Sequence, residues 1–242
     1  MKPCTASVMP YGNTMKTEEI REYLESKRDP RNGDFLSKLL PGIDRKRILG
    51  VRMPEMRKLA KRIASEGDLS FLRIKPKTIE EETLQGLVIS LEKDYDRCIE
   101  RLERWLPYCD NWASCDSCRP KVFEKHHEEL KGKISEWIHS PAVYTVRFGI
   151  EMMMCHFLKE DYDPSFPEVV SKINRSEYYI QMMTAWYFAE AIVSHYEDVL
   201  PYLKDRKLPE EIIRMTIQKA CDSFRIPPER KAALKSLRRK AV

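Results

Sequence analysis

The chain has 242 residues, 42% of them hydrophobic, with 43 basic and 38 acidic side chains and a formal net charge of +5. That apolar content suffices for one large domain or two small ones, and so mild a basic excess does not by itself name a nucleic-acid partner. No apolar run approaches the ~20 residues that span a bilayer, and the opening MKPCTASVMPYGNTMK is too polar for a secretory leader. The seven cysteines are odd in number and scattered, which fits reduced thiols, so a soluble cytoplasmic protein is expected.

Taken in chain order, the periodic apolar segments predict helices over 17–28, 34–40, 53–65, 79–92, 94–105, 111–130, 133–139, 142–158, 164–173, 177–194, 196–204, 209–223 and 228–240. In VRMPEMRKLAKRIASEG, Pro54 falls where a helix begins, Leu59 and Ile63 share a face, and Gly67 ends the segment. In TIEEETLQGLVISLEKDY, the stripe is Leu84, Leu87, Val88 and Leu91, with charges elsewhere. SEYYIQMMTAWYFAEAIVSHY is apolar nearly all round and is expected at the centre. In LPEEIIRMTIQKACDSF, Pro209 suits a first turn and Ile213, Ile217 and Ala220 form the stripe. No run alternates cleanly enough for a sheet. Many short helices in succession suggest an all-α solenoid of helix pairs, as one unit over 17–242 behind a flexible segment 1–16.

The densest cluster of chemistry is CDNWASCDSC, residues 109–118. Cys115 and Cys118 form a CxxC, but a structural zinc site needs about four ligands and no second pair exists. Cys155 beside His156 sits in an apolar helical run, and redox CxxC motifs follow a strand that is absent here. Packing is the expected role of these thiols, and no metal is expected. Trp112 and Asp116, four residues apart, lie on one helical face that Asp110 or Asn111 can cap. Spacing alone favours a core tryptophan beside a solvated aspartate. His126 and His127, followed by Glu128 and Glu129, do not form a metal-binding HExxH and read as a solvated face. The phosphate-loop, dinucleotide and nucleophile-elbow motifs are absent, so no nucleotide cofactor is expected. Basic residues gather at 45–62, where Arg52, Arg57 and Lys61 are candidate phosphate contacts, and in the tail RIPPERKAALKSLRRK.

Three blocks resemble the AlkD-like DNA alkylation repair family of HEAT-like repeat DNA glycosylases. ILGVRMPEMRKLAK is similar to its N-terminal segment, DNWASCD to its Trp-x-x-x-Asp motif, and YTVRFGIEMMM with YYIQMMTAWYFAEAI to its later helices bearing arginine and tryptophan. The resemblance implies a right-handed superhelical solenoid of HEAT-like antiparallel helix pairs, monomeric, with a concave face for duplex DNA containing alkylated purines. It implies excision of cationic N3- and N7-alkylated purines without base extrusion. It assigns Asp116 as the catalytic carboxylate, Trp112 and Trp186 as the aromatic pair against the deoxyribose, and Arg147 as a phosphate contact. The chain departs from the family where an arginine stands three residues after the second tryptophan: here Ala189 occupies that position, followed by Glu190. A DNA-binding relative without glycosylase activity, and a protein-interaction solenoid, remain open beside the enzyme.

Overall fold

The computed structural model describes residues 15–67 and 69–238, and among them every regular element is helical. The α-helices are α1 (Thr17–Ser26), α2 (Pro30–Leu39), α3 (Met53–Glu66), α4 (Ile79–Ile89), α5 (Tyr95–Trp105), α6 (Trp112–Cys115), α7 (His127–Ile138), α8 (Val143–His156), α9 (Phe166–Ser171), α10 (Tyr178–Ser194), α11 (Tyr196–Lys204), α12 (Glu210–Asp222) and α13 (Pro228–Ser236). Local chemistry explains many of the boundaries. Asp29, Thr78, Asp94 and Asn111 each accept from the backbone N–H three residues on, filling a donor that the first turn leaves open. Pro30 and Pro54 lie in first turns, where a missing N–H costs nothing. Gly67 ends α3 with φ 80°, a conformation that favours glycine.

Packing follows the chain in pairs, α3 on α4, α7 on α8, α11 on α10 and α13 on α12. Across the pairs, α4, α6, α8, α10 and α12 touch in succession and form a continuous row. This arrangement is compatible with an α-solenoid. Helix α10 is central as expected, packed on α8, α9, α11 and α12. Its buried side chains, from Ile180 through Phe188 to Ile192, point all round the axis. The Ile213, Ile217 and Ala220 stripe of α12 is buried as read, with Pro209 as the residue just before the helix. Gly149 lets α8 approach the end of α7 closely: a Cβ there would lie 3.0 Å from Ile138 and 3.1 Å from Trp137.

Two expectations change. The helix predicted over 111–130 breaks into α6, a 3-10 turn at Lys121–Lys125, and the start of α7, which also absorbs the predicted 133–139. Pro120 is the cause: it lacks an N–H, and its ring excludes a continuing helix, so the chain is extended there. The second helix begins at Pro30 rather than at 34, with Asp29 as its cap. The acids of α4, set apart from its apolar stripe in the sequence, are nevertheless buried at Glu80, Glu81 and Glu82. Glu80 accepts from the N–H groups of Leu49 and Gly50, Glu81 pairs with Arg21, and Glu82 faces α6. Of the expected flexible segment 1–16, only Met15 and Lys16 are described. Met15 is buried and its N–H donates to Glu66 at 2.8 Å. The expected tail helix runs to Ser236, and positions 239–242 lie outside the described residues.

Candidate active site

Helix α6 is a single turn, too short to hold itself, and its neighbours fix it. The Asn111 side chain accepts from the Ser114 N–H at 2.9 Å and donates to Glu82 at 2.9 Å. The Ser114 hydroxyl meets that of Thr83 at 2.9 Å. Glu82 is fully buried, and burial together with the Asp110 charge pushes its carboxyl up to about 8. The buried acids of α4 are therefore the platform on which α6 stands. From that turn Trp112 and Asp116 project one above the other, and the Asp116 N–H closes on the Trp112 carbonyl at 2.9 Å.

Asp116 meets Arg147 of α8 in a two-pronged pair: Nε donates to one carboxylate oxygen at 2.8 Å and Nη2 to the other at 2.7 Å. Nη1 donates to the Tyr179 carbonyl of α10 at 2.9 Å. Arg147 is thus a tie between α6, α8 and α10, and only 4% of its side chain is exposed against 14% for Asp116. Such a forked geometry fixes a carboxylate in orientation as well as in place.

Trp112 and Asp116 line an open cavity of about 500 Å³ with Leu36, Val51, Arg52 and Met53. The Trp112 indole N–H donates to the Leu39 carbonyl at 3.0 Å, which sets the plane of the ring. Arg52 stands at the cavity edge, paired with Asp29 at 2.8 Å. Arg57 and Lys61 are exposed, outside the cavity lining, and have no ion pair among the described residues. With Met53 they repeat every four residues along α3, so they extend a stripe that begins at the cavity.

Trp186, on α10, lies outside that lining and is half-buried. The ammonium of Lys219, on α12, stands 5.3 Å over its ring. Lys219 joins Trp186 to the Asp116–Arg147 pair electrostatically: burial lowers its pKa, the Arg147 charge lowers it further, and Asp116, Asp222 and Glu190 pull the other way. Glu190, one turn after Trp186, takes Arg225 at 2.6 Å through both of its oxygens. Ala189 is only 5% exposed. The position where the resemblance places an arginine therefore points into the core, while Lys219 and Arg225 supply positive charge beside the indole.

A second layer lies behind the pair. Glu151 of α8 is fully buried and accepts from Arg119 at 2.9 Å, and its other oxygen has no partner. Burial first, and the Asp116 charge second, push its carboxyl up. Cys115, Asp116 and Glu151 offer three ligand atoms within 4.8 Å of one another, but both carboxylates already face arginines, Arg147 and Arg119. Cys109, Cys115 and Cys118 are buried, and burial pushes their thiols up, so they are poor nucleophiles.

Sequence reasoning named Trp112, Asp116, Arg147 and Trp186 but missed Glu82, Glu151, Arg119 and Lys219. The three-acid run at 80–82 lies apart from the apolar stripe of its helix, so nothing in the spacing marks those acids as buried. Lys219 is one of many lysines, and only the packing of α12 on α10 places it over Trp186.

Among the described residues no helix is long and apolar enough to cross a membrane. A comparison with curated proteins finds no match. The family described as DNA alkylation repair enzyme matches residues 20–224, a span that includes every side chain of this site except the Arg225 contact. That span covers most of the chain, and the chain belongs to the DNA alkylation repair enzyme family.

Proposed function

We propose that the protein is a DNA glycosylase that removes N3- and N7-alkylated purines from duplex DNA. The observation that carries this reading is the Asp116 carboxylate, held by both prongs of Arg147 at the edge of a cavity walled by Trp112. Alkylation at N3 or N7 makes the purine cationic and a better leaving group. Its departure leaves oxocarbenium-like charge on the sugar, which a fixed carboxylate stabilises and to which it can direct water. The indoles of Trp112 and Trp186 offer faces that attract the same developing cation. Arg52, Arg57 and Lys61 extend from the cavity as phosphate contacts, and Arg147 retains N–H groups beyond the three bonds it makes. In this reading the helix pairs are HEAT-like and antiparallel, they curve as a right-handed superhelix, and the monomer acts on the concave face without extruding the base. Incubation of a 7-methylguanine-containing duplex with the protein, followed by detection of the free base, tests it. Release that disappears in Asp116→Asn supports the assignment, and no release by the unaltered protein overturns it.

A second reading, a binding protein that holds damaged duplex without cutting, draws on the same pair. Arg147 matches the Asp116 charge fully and so weakens the field available to a cationic sugar. Tight duplex binding without base release would favour it.

A further inference from the structure

Two ion pairs join the α6 segment to α8, in opposite senses. Asp116, at the end of α6, takes Arg147 of α8; three residues on, Arg119 pairs with Glu151, one turn after Arg147 on the same helix. The two arginines differ in what they have left to offer. Arg147 keeps 4% of its side chain exposed and donates through all three of its nitrogens, whereas 53% of the Arg119 side chain is exposed. Nε and Nη2 of Arg119 turn to a single oxygen of Glu151, at 3.2 and 2.9 Å, and its backbone N–H donates to the Ser90 hydroxyl at 2.8 Å. Nη1 makes no hydrogen bond among the described residues. A fully buried acid thus aims a half-exposed guanidinium and leaves it donors to spare.

Arg119 lines an open cavity of about 580 Å³, separate from the one walled by Trp112, together with Lys121 and Lys159. Both lysines are exposed and have no ion pair among the described residues. Of the acids on the same lining, Asp161 is taken by His127, while Glu124 and Glu160 are exposed and pair with none of the three cations. An oxygen of Glu151 lies within 4.8 Å of one of Asp116, so Arg119 stands one carboxyl away from the reactive carboxylate. An oriented guanidinium flanked by two ammonium groups suits the oxygens of a phosphodiester. We propose that Arg119, Lys121 and Lys159 form a phosphate-binding subsite for the DNA backbone beside the deoxyribose that faces Asp116, with Glu151 as the residue that positions Arg119. The inference rests on the proposed function in one respect, that DNA lies against Asp116, and uses nothing of the base-release chemistry.

Duplex titrations of the full chain at several salt concentrations test it. Arg119→Gln should flatten the slope of log K against log salt by about 0.9, equally for undamaged and 7-methylguanine duplex. Because that change strands Glu151, it is repeated with Glu151→Gln, which removes the unpaired acid, and the loss of slope should persist. Lys121→Gln with Lys159→Gln alters only exposed side chains and should flatten the slope as well. Neutral methylphosphonate linkages, placed one at a time in the 7-methylguanine duplex, locate the contact. Wild type should lose affinity at a linkage beside the lesion, and the same linkage should cost Arg119→Gln nothing further. An unchanged slope in both Arg119 variants, or an undiminished methylphosphonate penalty in Arg119→Gln, would overturn the proposal. So would tight binding of inorganic phosphate that Arg119→Gln abolishes while the duplex slope stays the same, which would assign the subsite to a small free anion. Release of 7-methylguanine is measured separately: a slope that flattens as expected in a protein that releases no base would sink the glycosylase reading alone.

Discussion

Arg147 reaches across from α8 to grip both oxygens of Asp116, at 2.8 and 2.7 Å, while its third nitrogen holds the Tyr179 carbonyl on α10. Orientation of the carboxylate and packing of three helices are therefore one interaction. Removing Arg147 disturbs both, whereas altering the charge of Asp116 disturbs only the first.

Asp116→Asn keeps the size of the side chain and removes its charge. If the carboxylate stabilises the oxocarbenium-like sugar that the base leaves behind, base release should slow by about a hundredfold or more, corresponding to ~3 kcal/mol, while duplex binding changes little. Single-turnover release and fluorescence-anisotropy titration on one 7-methylguanine duplex separate the two effects. An unaltered rate removes Asp116 from the chemistry.

Arg147→Met leaves Asp116 and the Tyr179 carbonyl without their donors in a place almost closed to solvent. Breaking one side of such a buried pair typically costs ~3–5 kcal/mol. Chemical denaturation should show that loss. Combining Arg147→Met with Asp116→Asn should cost less than the sum of the two, because the second change removes the stranded charge.

The buried acids predict a pH dependence of stability. Glu82 titrates at about 8 in the folded protein because of burial, against an ordinary 4.5, and Glu151 is raised in the same direction. Both favour a proton in the folded state that the unfolded chain gives up near its ordinary value. Their contribution is complete below about 4.5 and is lost as pH rises through the folded pKa, by at most ~1.4 kcal/mol per pH unit for each proton. Glu82→Gln retains an oxygen for the Asn111 amide and removes the titration. Its unfolding free energy, measured from pH 5 to 8, should be flatter than that of the wild type; parallel curves would count against a buried proton at Glu82.

Restoring an arginine at position 189 is a poor way to strengthen DNA binding, because Ala189 is 5% exposed and the new side chain would enter the core. Ala189→Arg should lower the melting temperature without steepening the salt dependence of duplex binding. Glu190→Gln instead releases Arg225 from its two short bonds. One freed phosphate contact should steepen the slope of log K against log salt by about 0.9, equally for damaged and undamaged duplex. Titrations at several salt concentrations distinguish the two variants.

The thiols of 109–118 are expected to stay inert. Cys109, Cys115 and Cys118 are buried, and burial holds their thiols up. Iodoacetamide should label them only after denaturation, and protein purified without a metal-binding tag should carry no stoichiometric zinc. About one zinc per chain would point to the Cys115, Asp116 and Glu151 group displacing its arginines.

Helix periodicity revealed most elements of the fold because their stripes are long and their caps ordinary: Pro54, Gly67 and the Ile213–Ile217 face needed no tertiary information. The region 111–130 was misread because its apolar content suggested one helix while Pro120 divides it. Spacing put Trp112 and Asp116 on one face but also favoured an inert pair. Only the resemblance singled them out, and only the structure supplied the bonds from Arg147 and Glu82 that make the turn rigid. Glu80, Glu81 and Glu82 were illegible for a physical reason. A carboxylate's preference for water is a local property, and the backbone N–H groups and arginines that offset it come from distant segments such as 47–50 and 110–111.

The row α4, α6, α8, α10 and α12 gives the site a modular construction, with Glu82, Asp116, Arg147, Trp186 and Lys219 each delivered by a different helix. Distances between these groups are then a matter of how helices stack, as the spacing of beads depends on the thickness of washers between them. Gly149 is a spacer of this kind between the Arg147 helix and its pair partner α7, where a methyl group would meet Ile138 at 3.0 Å. A change far from any reacting atom can in this way slide one chemical group past the others while every helix stays intact, so relatives built on the same row could diverge in activity through their spacers before any residue of the site is replaced.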